Sequence, residues 1–283
     1  MYEETWESTR DGGADWQASQ PPPPSGTQSI RRAVAILREI SMYDLKGIRL
    51  VDLASNLDLE RSTAHRILQC LVYENLVTEK HPGSRYVLGP LAYELGLAAA
   101  KRFNLAELLR PHLRKLADET GDVAFLCVRS GMATICLDRI EGDFPVKAYT
   151  RNIGDRRPLG FGCVGTAVLS TMADRDVQQI LNLNEQALRT YSSTTPEEAF
   201  RKTVQARAAG YAINERVTHG LRSIAMAIPA EGGYPAAVFS VCAIASRIGP
   251  HRMPMLADAL HRACAASAAD LAAHQKSDAY NTA

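Results

Sequence analysis

The sequence has almost no net charge, since 32 Lys and Arg residues are balanced by 31 Asp and Glu, a formal +1 over 283 residues. No global basic field marks it as a histone-like or polyanion-coating protein, so any nucleic-acid site must be local. Long apolar runs are lacking too. The longest, Pro235 to Ser246, is too short to span a bilayer, so no membrane partner is expected. The amino terminus, MYEETWESTR, is acidic and has no apolar segment of the kind that opens a secretory or transit peptide. There is no C-x-x-C pair. The six cysteines, Cys70, Cys127, Cys136, Cys163, Cys242 and Cys264, are widely separated in mainly apolar surroundings and read as reduced thiols of a cytoplasmic protein. His251, His261, His274 and Cys264 fall near the carboxyl end without a recognised ligand spacing. Neither metal nor cofactor is expected.

What is present is an apolar content of 46%, enough for two packed cores, which excludes disorder throughout. Residues 1–27 are the exception. They carry five acids and one Arg, then Pro21 to Pro24, a composition that buries too little to offset ordering entropy. They read as a disordered tail. From Ser29 the pattern changes to helical spacing: Ala33, Ile36, Leu37 and Ile40; then Leu50, Leu53, Ala54 and Leu57; then Ala64, Ile67, Leu68 and Leu71. Three short helices sharing one core are predicted.

Only Asp58-Leu59-Glu60 separates the second and third helices, which leaves room for a tight turn with Asp58 as the N-cap of the helix that follows. Asn75 is placed to stop the third helix in the left-handed conformation. Leu76 to Thr78 and Arg85 to Leu88 then flank His81-Pro82-Gly83-Ser84, where Pro-Gly suits a type II turn. Three helices and a hairpin make a winged helix-turn-helix domain over residues 28–90.

A connecting helix is expected over 91–106, followed by a domain over 107–275 and a flexible tail over 276–283. Helical texture at Leu105 to Thr120 gives way to short apolar or alternating runs at Val123 to Val128, Met132 to Leu137 and Val146 to Tyr149. Helices follow at Gly165 to Met172, Asp174 to Leu183 and Thr195 to Ala209. Strands come next, at Tyr211 to Asn214, Leu221 to Ile228 and Ala236 to Ile244, before a last helix from Pro250 to Ala273. This order describes an α+β domain with a mainly antiparallel sheet.

With the apolar stripe of the third helix facing inward, Arg61, Ser62, His65, Arg66 and Gln69 are left outside. Arg can read guanine and Gln adenine on the major-groove edge, while Ser62 and Thr63 in the first turn suit phosphate contacts. Arg31, Arg32, Lys46, Arg49, Lys80 and Arg85 can reach flanking phosphates, although Asp44, Asp52 and Glu60 dilute the charge. A polar helix face is also what a solvated face looks like, and a helix-turn-helix can dock protein. The tight turn, the recognition-type face and the basic wing base favour DNA.

These residues carry a family likeness. The runs SIRRAVAILREI, LVDLASNLDLERSTAHRILQCLVYENLV and RYVLGP resemble the amino-terminal domain of the IclR family of bacterial transcriptional regulators. IGDRRPLGFGCVGTAVLS, GYAINERVTHGLRSIAMAIP and FSVCAIASRI resemble later parts of the same family, in the same order, so the likeness runs from about Ser29 to Ala273. GLRSIA is similar to members that control aromatic-acid breakdown. The resemblance implies a GAF-like carboxyl-terminal domain that senses a small organic acid and contributes to a homodimer or tetramer. It also implies a pseudo-palindromic operator and, for an activator, RNA polymerase as a further partner.

By this resemblance the pocket-lining positions fall on Asn214, Ser223, Ser240 and Cys242, facing a glycine-rich turn with Phe161, Gly162 and Cys163. Short donors there suit a carboxylate, and Phe161 an apolar wall. Strand alternation puts Arg222 and Ser223 on opposite faces, and Ser223 is favoured for the pocket. The sequence departs from the family pattern at Thr166, at Ala227, and in Glu215 to His219, which is one residue short. A competing reading makes Cys163 a nucleophile at a helix start with His219 as base, in an enzyme whose helical module docks a partner. No third orienting residue is evident, and a non-enzymatic sensor is the expectation.

Overall fold

The computed structural model describes residues 25–43, 46–80, 85–103, 105–216, 220–229 and 237–281, in two compact units, Met1–Asn104 and Leu105–Ala283. Residues 1–24 of the stretch read as a tail, and the Pro82-Gly83 turn, lie outside the described residues.

The first unit is built from α1 (Gln28–Ile40), α2 (Leu50–Asn56), α3 (Arg61–Tyr73), β1 (Val77–Glu79), β2 (Tyr86–Leu88) and α4 (Pro90–Phe103). The three predicted stripes converge on one core, in which Ile36, Ile40, Leu53, Ala54, Ala64, Leu68 and Leu71 are buried with Ile48, Val77 and Tyr86. Burying aliphatic and aromatic side chains of this size contributes roughly 1.5–3 kcal/mol each. Asn56 fastens α2 to α1 by donating to Glu39 Oε1 at 2.8 Å and to the Tyr43 hydroxyl at 3.0 Å. β1 and β2 pair antiparallel, and Ile48 bridges to Tyr86.

Asn75 ends the third helix region with φ +58, the left-handed conformation its short polar side chain tolerates. Asp58 takes the same conformation, φ +49, inside the turn. It is therefore not the N-cap of α3. Glu60 occupies that position and makes no side-chain cap hydrogen bond. The turn needed a residue able to reverse the chain more than it needed a cap. Cys70 is exposed on α3, unlike the other five cysteines, all of which are free and buried.

The second unit contains α5 (Leu105–Thr120), β3 (Val123–Ser130), β4 (Ala133–Ile140), β5 (Arg156–Pro158) and α6 (Gly162–Ser170). There follow α7 (Asp174–Leu183), α8 (Glu185–Ser192), α9 (Pro196–Ala209), β6 (Ala212–Arg216), β7 (Leu221–Ala227), β8 (Ala237–Ile244) and α10 (Met253–Asn281). The six strands form one antiparallel sheet in the order β5-β4-β3-β8-β7-β6. Alternation along the strands splits it into two apolar faces. Ala124, Leu126, Phe239 and Val241 pack with α5 and α10, while Val123, Phe125, Cys127 and Val238 pack with α6 to α9.

The α+β class and antiparallel sheet agree with the sequence reading, but five segments differ. Val146 to Tyr149 is not a strand. Just before it, Gly142 and Phe144 bond through their backbone nitrogens to the carbonyls of Asp122 and Gly121 at the start of β3, and only Ala148 in the stretch is buried. The strand beside β4 is instead Arg156–Pro158. α6 begins three residues before its predicted start, inside the glycine run. α8 went unread because Leu188 is the single fully buried apolar residue among its described side chains, too weak a stripe to register. α10 continues to Asn281, through most of the stretch read as a tail, where Lys276 and Ala279 favour helix. The predicted connecting helix also ends sooner, at Phe103.

Candidate functional site

In the first unit, Arg61, His65 and Gln69 stand on successive turns of α3 and line a cleft of about 420 Å³ with Arg49, Leu50, Val51, Glu79 and Tyr86. Ser62 and Arg66 are exposed beside them, and Thr63 is half-buried. The Tyr86 hydroxyl donates to Glu79 Oε1 at 3.2 Å; burial first, then the Glu79 charge, raises its pKa. Arg49 grips Asp52 through two hydrogen bonds, of 2.7 and 2.9 Å, at the start of α2. Arg31 and Lys80 are exposed and Arg32 is half-buried. Arg85 was read as a phosphate contact, yet its Nη1 donates to the Gly47 carbonyl at 2.8 Å, so at least part of its guanidinium braces the base of the wing. Glu79 and Tyr86 were missed as parts of this surface. A short hairpin gives no spacing that predicts which side chains it brings back to a helix.

In the second unit, Asn214, Ser223 and Cys242 are in register across β6, β7 and β8, and Ser240 lies opposite Phe125 of β3. The start of α6 packs over these strands, with Phe161 as its N-cap and Cys163 in its first turn. The Cys163 thiol donates to the Ser223 hydroxyl at 3.3 Å. Arg222 points to the other side, donating to the Ile248 carbonyl at 2.6 Å, as alternation requires.

The seven predicted pocket residues do not share one open wall. Phe161, Gly162 and Asn214 line a polar cleft of about 410 Å³, together with Ser192, Thr194, Lys202 and Gln205. Cys163, Ser223, Ser240 and Cys242 are buried behind it, against the sheet. The glycines serve packing as much as any ligand. A Cβ on Gly160, at φ +92, would stand 2.5 Å from Leu181 Cδ2, and one on Gly165 would stand 2.9 Å from the Gly160 nitrogen.

Among the buried residues lies one that carries no distinguishing pattern in the sequence. Arg151 is 7% exposed and donates through Nη1 to Cys127 Sγ at 3.2 Å. Burial acts against its charge, but the neighbouring sulfurs of Cys127, Cys163 and Cys136 outweigh burial and hold it firmly cationic. Burial likewise opposes the Cys127 thiolate, yet the hydrogen bond from Cys136 and the Arg151 charge lower its pKa to about 7. The Cys136 thiol is pushed up, first by that hydrogen bond and then by burial. Burial raises Cys163 and pushes Cys242 up to about 12.

A helix start lowering the Cys163 pKa was the physical motive for the nucleophile reading. Burial has the opposite effect and wins, which removes that motive. Its proposed base, His219, lies outside the described residues. Among the described residues no cluster of His, Cys, Asp or Glu suits a metal ion, and no helix is long and apolar enough to cross a membrane.

Residues 97–269 match the family model for the bacterial transcriptional regulator IclR carboxyl-terminal domain, and residues 29–81 match that for the IclR helix-turn-helix domain. The chain belongs to the IclR family. It is 31% identical over 239 residues to the HTH-type transcriptional regulator BhcR of Paracoccus denitrificans, covering 83% of this chain and 84% of that one. Identity to the transcriptional repressor IclR of Escherichia coli is 26% over 232 residues, or 80% and 83% of the two chains. The fold is that of an IclR transcriptional regulator from Alicyclobacillus acidocaldarius, with a TM-score of 0.69 at 23% identity over 86% of this chain and 98% of that one. An IclR homolog from Microbacterium hydrocarbonoxydans, solved in complex with 4-hydroxybenzoate, matches with a TM-score of 0.65 at 20% identity over 87% and 99%. This IclR-family chain is a helix-turn-helix transcriptional regulator with a GAF-like second domain.

Proposed function

We propose that this regulator binds a pseudo-palindromic operator as a homodimer or tetramer and that a small organic acid, bound in the second domain, changes that binding. The observation that carries the DNA reading is the gathering of Arg61, His65 and Gln69 on one exposed face of α3, beside Arg49 and the wing. Such a face presents guanidinium and amide donors of the kind that read base edges in a major groove. Ser62 and Thr63 in the first turn, with Arg31, Arg32, Lys80 and the charge of Arg85, supply backbone contacts. Twofold symmetry would place two such helices on two half-sites. Tyr93, Leu95 and Leu97, exposed on α4, favour self-association of the first unit.

The effector reading rests on the polar and thiol side chains between α6 and the sheet, with Phe161, Gly162, Cys163, Asn214, Ser223, Ser240 and Cys242 in or beside the pocket. The related 4-hydroxybenzoate complex makes aromatic acids the first candidates. An effector regulates only if it binds two arrangements of the protein with different affinity. Fluorescence anisotropy with the DNA upstream of the coding sequence, against unrelated DNA at two salt concentrations, tests the proposal. Preferential binding altered by one acid supports it. Equal binding to both DNAs, lost with salt, reduces α3 to a nonspecific phosphate binder.

A further inference from the structure

Arg151 presents an energetic problem that the fold alone does not resolve. A guanidinium has five N–H donors, and taking its charge out of water is costly unless it is paired and hydrogen-bonded. Among the described residues, the one hydrogen bond Arg151 makes is to the sulfur of Cys127, and it forms no ion pair with a carboxylate. Three partly buried arginines of this domain have a carboxylate partner. Arg247 and Arg252 share Asp122 at 2.8 and 2.6 Å, and Arg157 has Asp155 at 3.9 Å and the Thr150 carbonyl, although its Nε makes no hydrogen bond.

The surroundings of Arg151 are also unusual. Cys127, Cys163 and Cys136 are its electrostatic neighbours, and its field reaches Cys242. Cys127 and Cys242 project from the sheet face that also carries Ser223 and Ser240, and Cys163 comes down on them from the first turn of α6. These are small side chains bearing weak or modest donors. The start of a helix adds backbone N–H groups and the positive end of its dipole. A cation, hydroxyl and thiol donors and a helix start thus converge, and among the described residues no carboxylate is paired with that cation.

We propose that Arg151 is the carboxylate-binding residue of the effector pocket, holding a small monocarboxylic acid between the first turn of α6 and the β7–β8–β3 face of the sheet. The proposal rests on the organic-acid reading above and adds to it the residue that makes the ligand an acid. The carboxylate takes donors of the guanidinium that Cys127 leaves unused, and the Ser223 and Ser240 hydroxyls fix its orientation. The open cleft of Lys202, Thr194 and Asn214 is then an approach on the other side of the α6 start and does not hold the acid group.

The test is calorimetry on the full-length protein with benzoate, 4-hydroxybenzoate and propionate, each compared with its primary amide, a neutral analogue of similar shape. Wild type is expected to favour at least one acid over its amide by about 10- to 100-fold, the range of a charge-assisted hydrogen bond. Arg151→Met should bring that ratio near one, because a neutral side chain no longer distinguishes a charged oxygen from an amide. Arg151→Lys keeps the charge without the planar fork, and should cut the ratio about tenfold if Arg151→Met does not fold. A folded variant of either kind that keeps the wild-type ratio overturns the role of Arg151 and leaves the acid-sensor reading standing. If wild type prefers no acid to its amide, the organic-acid reading fails, and the assignment with it.

Discussion

The thiol of Cys163, in the first turn of α6, donates a hydrogen bond of 3.3 Å to the Ser223 hydroxyl on β7. That contact ties a helix start to the middle of the sheet face where the effector is proposed to bind. Ser223→Ala removes the acceptor and a pocket hydroxyl without adding bulk. Loss of a buried neutral hydrogen bond costs about 1 kcal/mol of stability. Acid affinity should fall roughly tenfold if Ser223 holds the ligand. Anisotropy on operator DNA without acid should be unchanged, and normal acid binding by a folded Ser223→Ala protein would remove Ser223 from the pocket.

Arg61 and Arg66 project from the exposed face of α3, and neither contributes to the core of the first unit. Alanine at either should weaken operator binding by about 1–3 kcal/mol if the residue reads a base, with the loss confined to particular operator positions. A loss spread evenly over all sequences, with a shallower salt dependence, would assign that arginine to phosphate. Calorimetric acid affinity should not move in either variant.

Asp122 is shared by two arginines in the second domain. Its side chain is 1% exposed and accepts from Arg247 and Arg252, and Arg247 also stacks 3.6 Å over the Phe144 ring. The three charges join the head of β3 to the segment entering α10. Asp122→Ala leaves two partly buried guanidinium groups without their shared acceptor and should cost about 3–5 kcal/mol, read from the urea midpoint. The same substitution at Asp52, whose partner Arg49 is mostly exposed, should cost under about 1 kcal/mol.

Cys127 links pH to stability. Its pKa is lowered from 9.0 to about 7 in the folded protein. Between those values the unfolded thiol keeps its proton and the folded one releases it, so stability rises with pH across that window. The gain accrues as pH rises from the folded thiol's lowered pKa toward the unfolded one's, and is lost as pH falls back through the folded value. Urea unfolding at pH 7, 8 and 9 should show this rise in the wild type, and Cys127→Ala should flatten it. Above pH 9 the raised thiols of Cys136, Cys242 and Cys264 reverse the trend, because they stay protonated only when folded.

The sequence by itself determined the elements whose pattern is periodic and local. The stripes of α1, α2 and α3 each recur at helical spacing, so their core-facing residues and the polar face left over were legible without coordinates. The strands β3, β7 and β8 were legible for the same reason, as was the opposition of Arg222 and Ser223, since side-chain direction alternates within a strand. Where the signal was weak or ambiguous, only the tertiary structure decided. Val146 to Tyr149 alternates like a strand, yet the chain just before it, at Gly142 and Phe144, is bonded to Asp122 and Gly121, and Arg156–Pro158 takes the place beside β4. The division of the predicted pocket by the start of α6 is set by how a helix packs on a sheet. Arg151 illustrates the limit best. In sequence it is a charged residue among polar neighbours in a loop, the usual mark of a solvated position. Its burial among four cysteines from three strands and a helix arises from contacts distant in the chain, which no local spacing encodes.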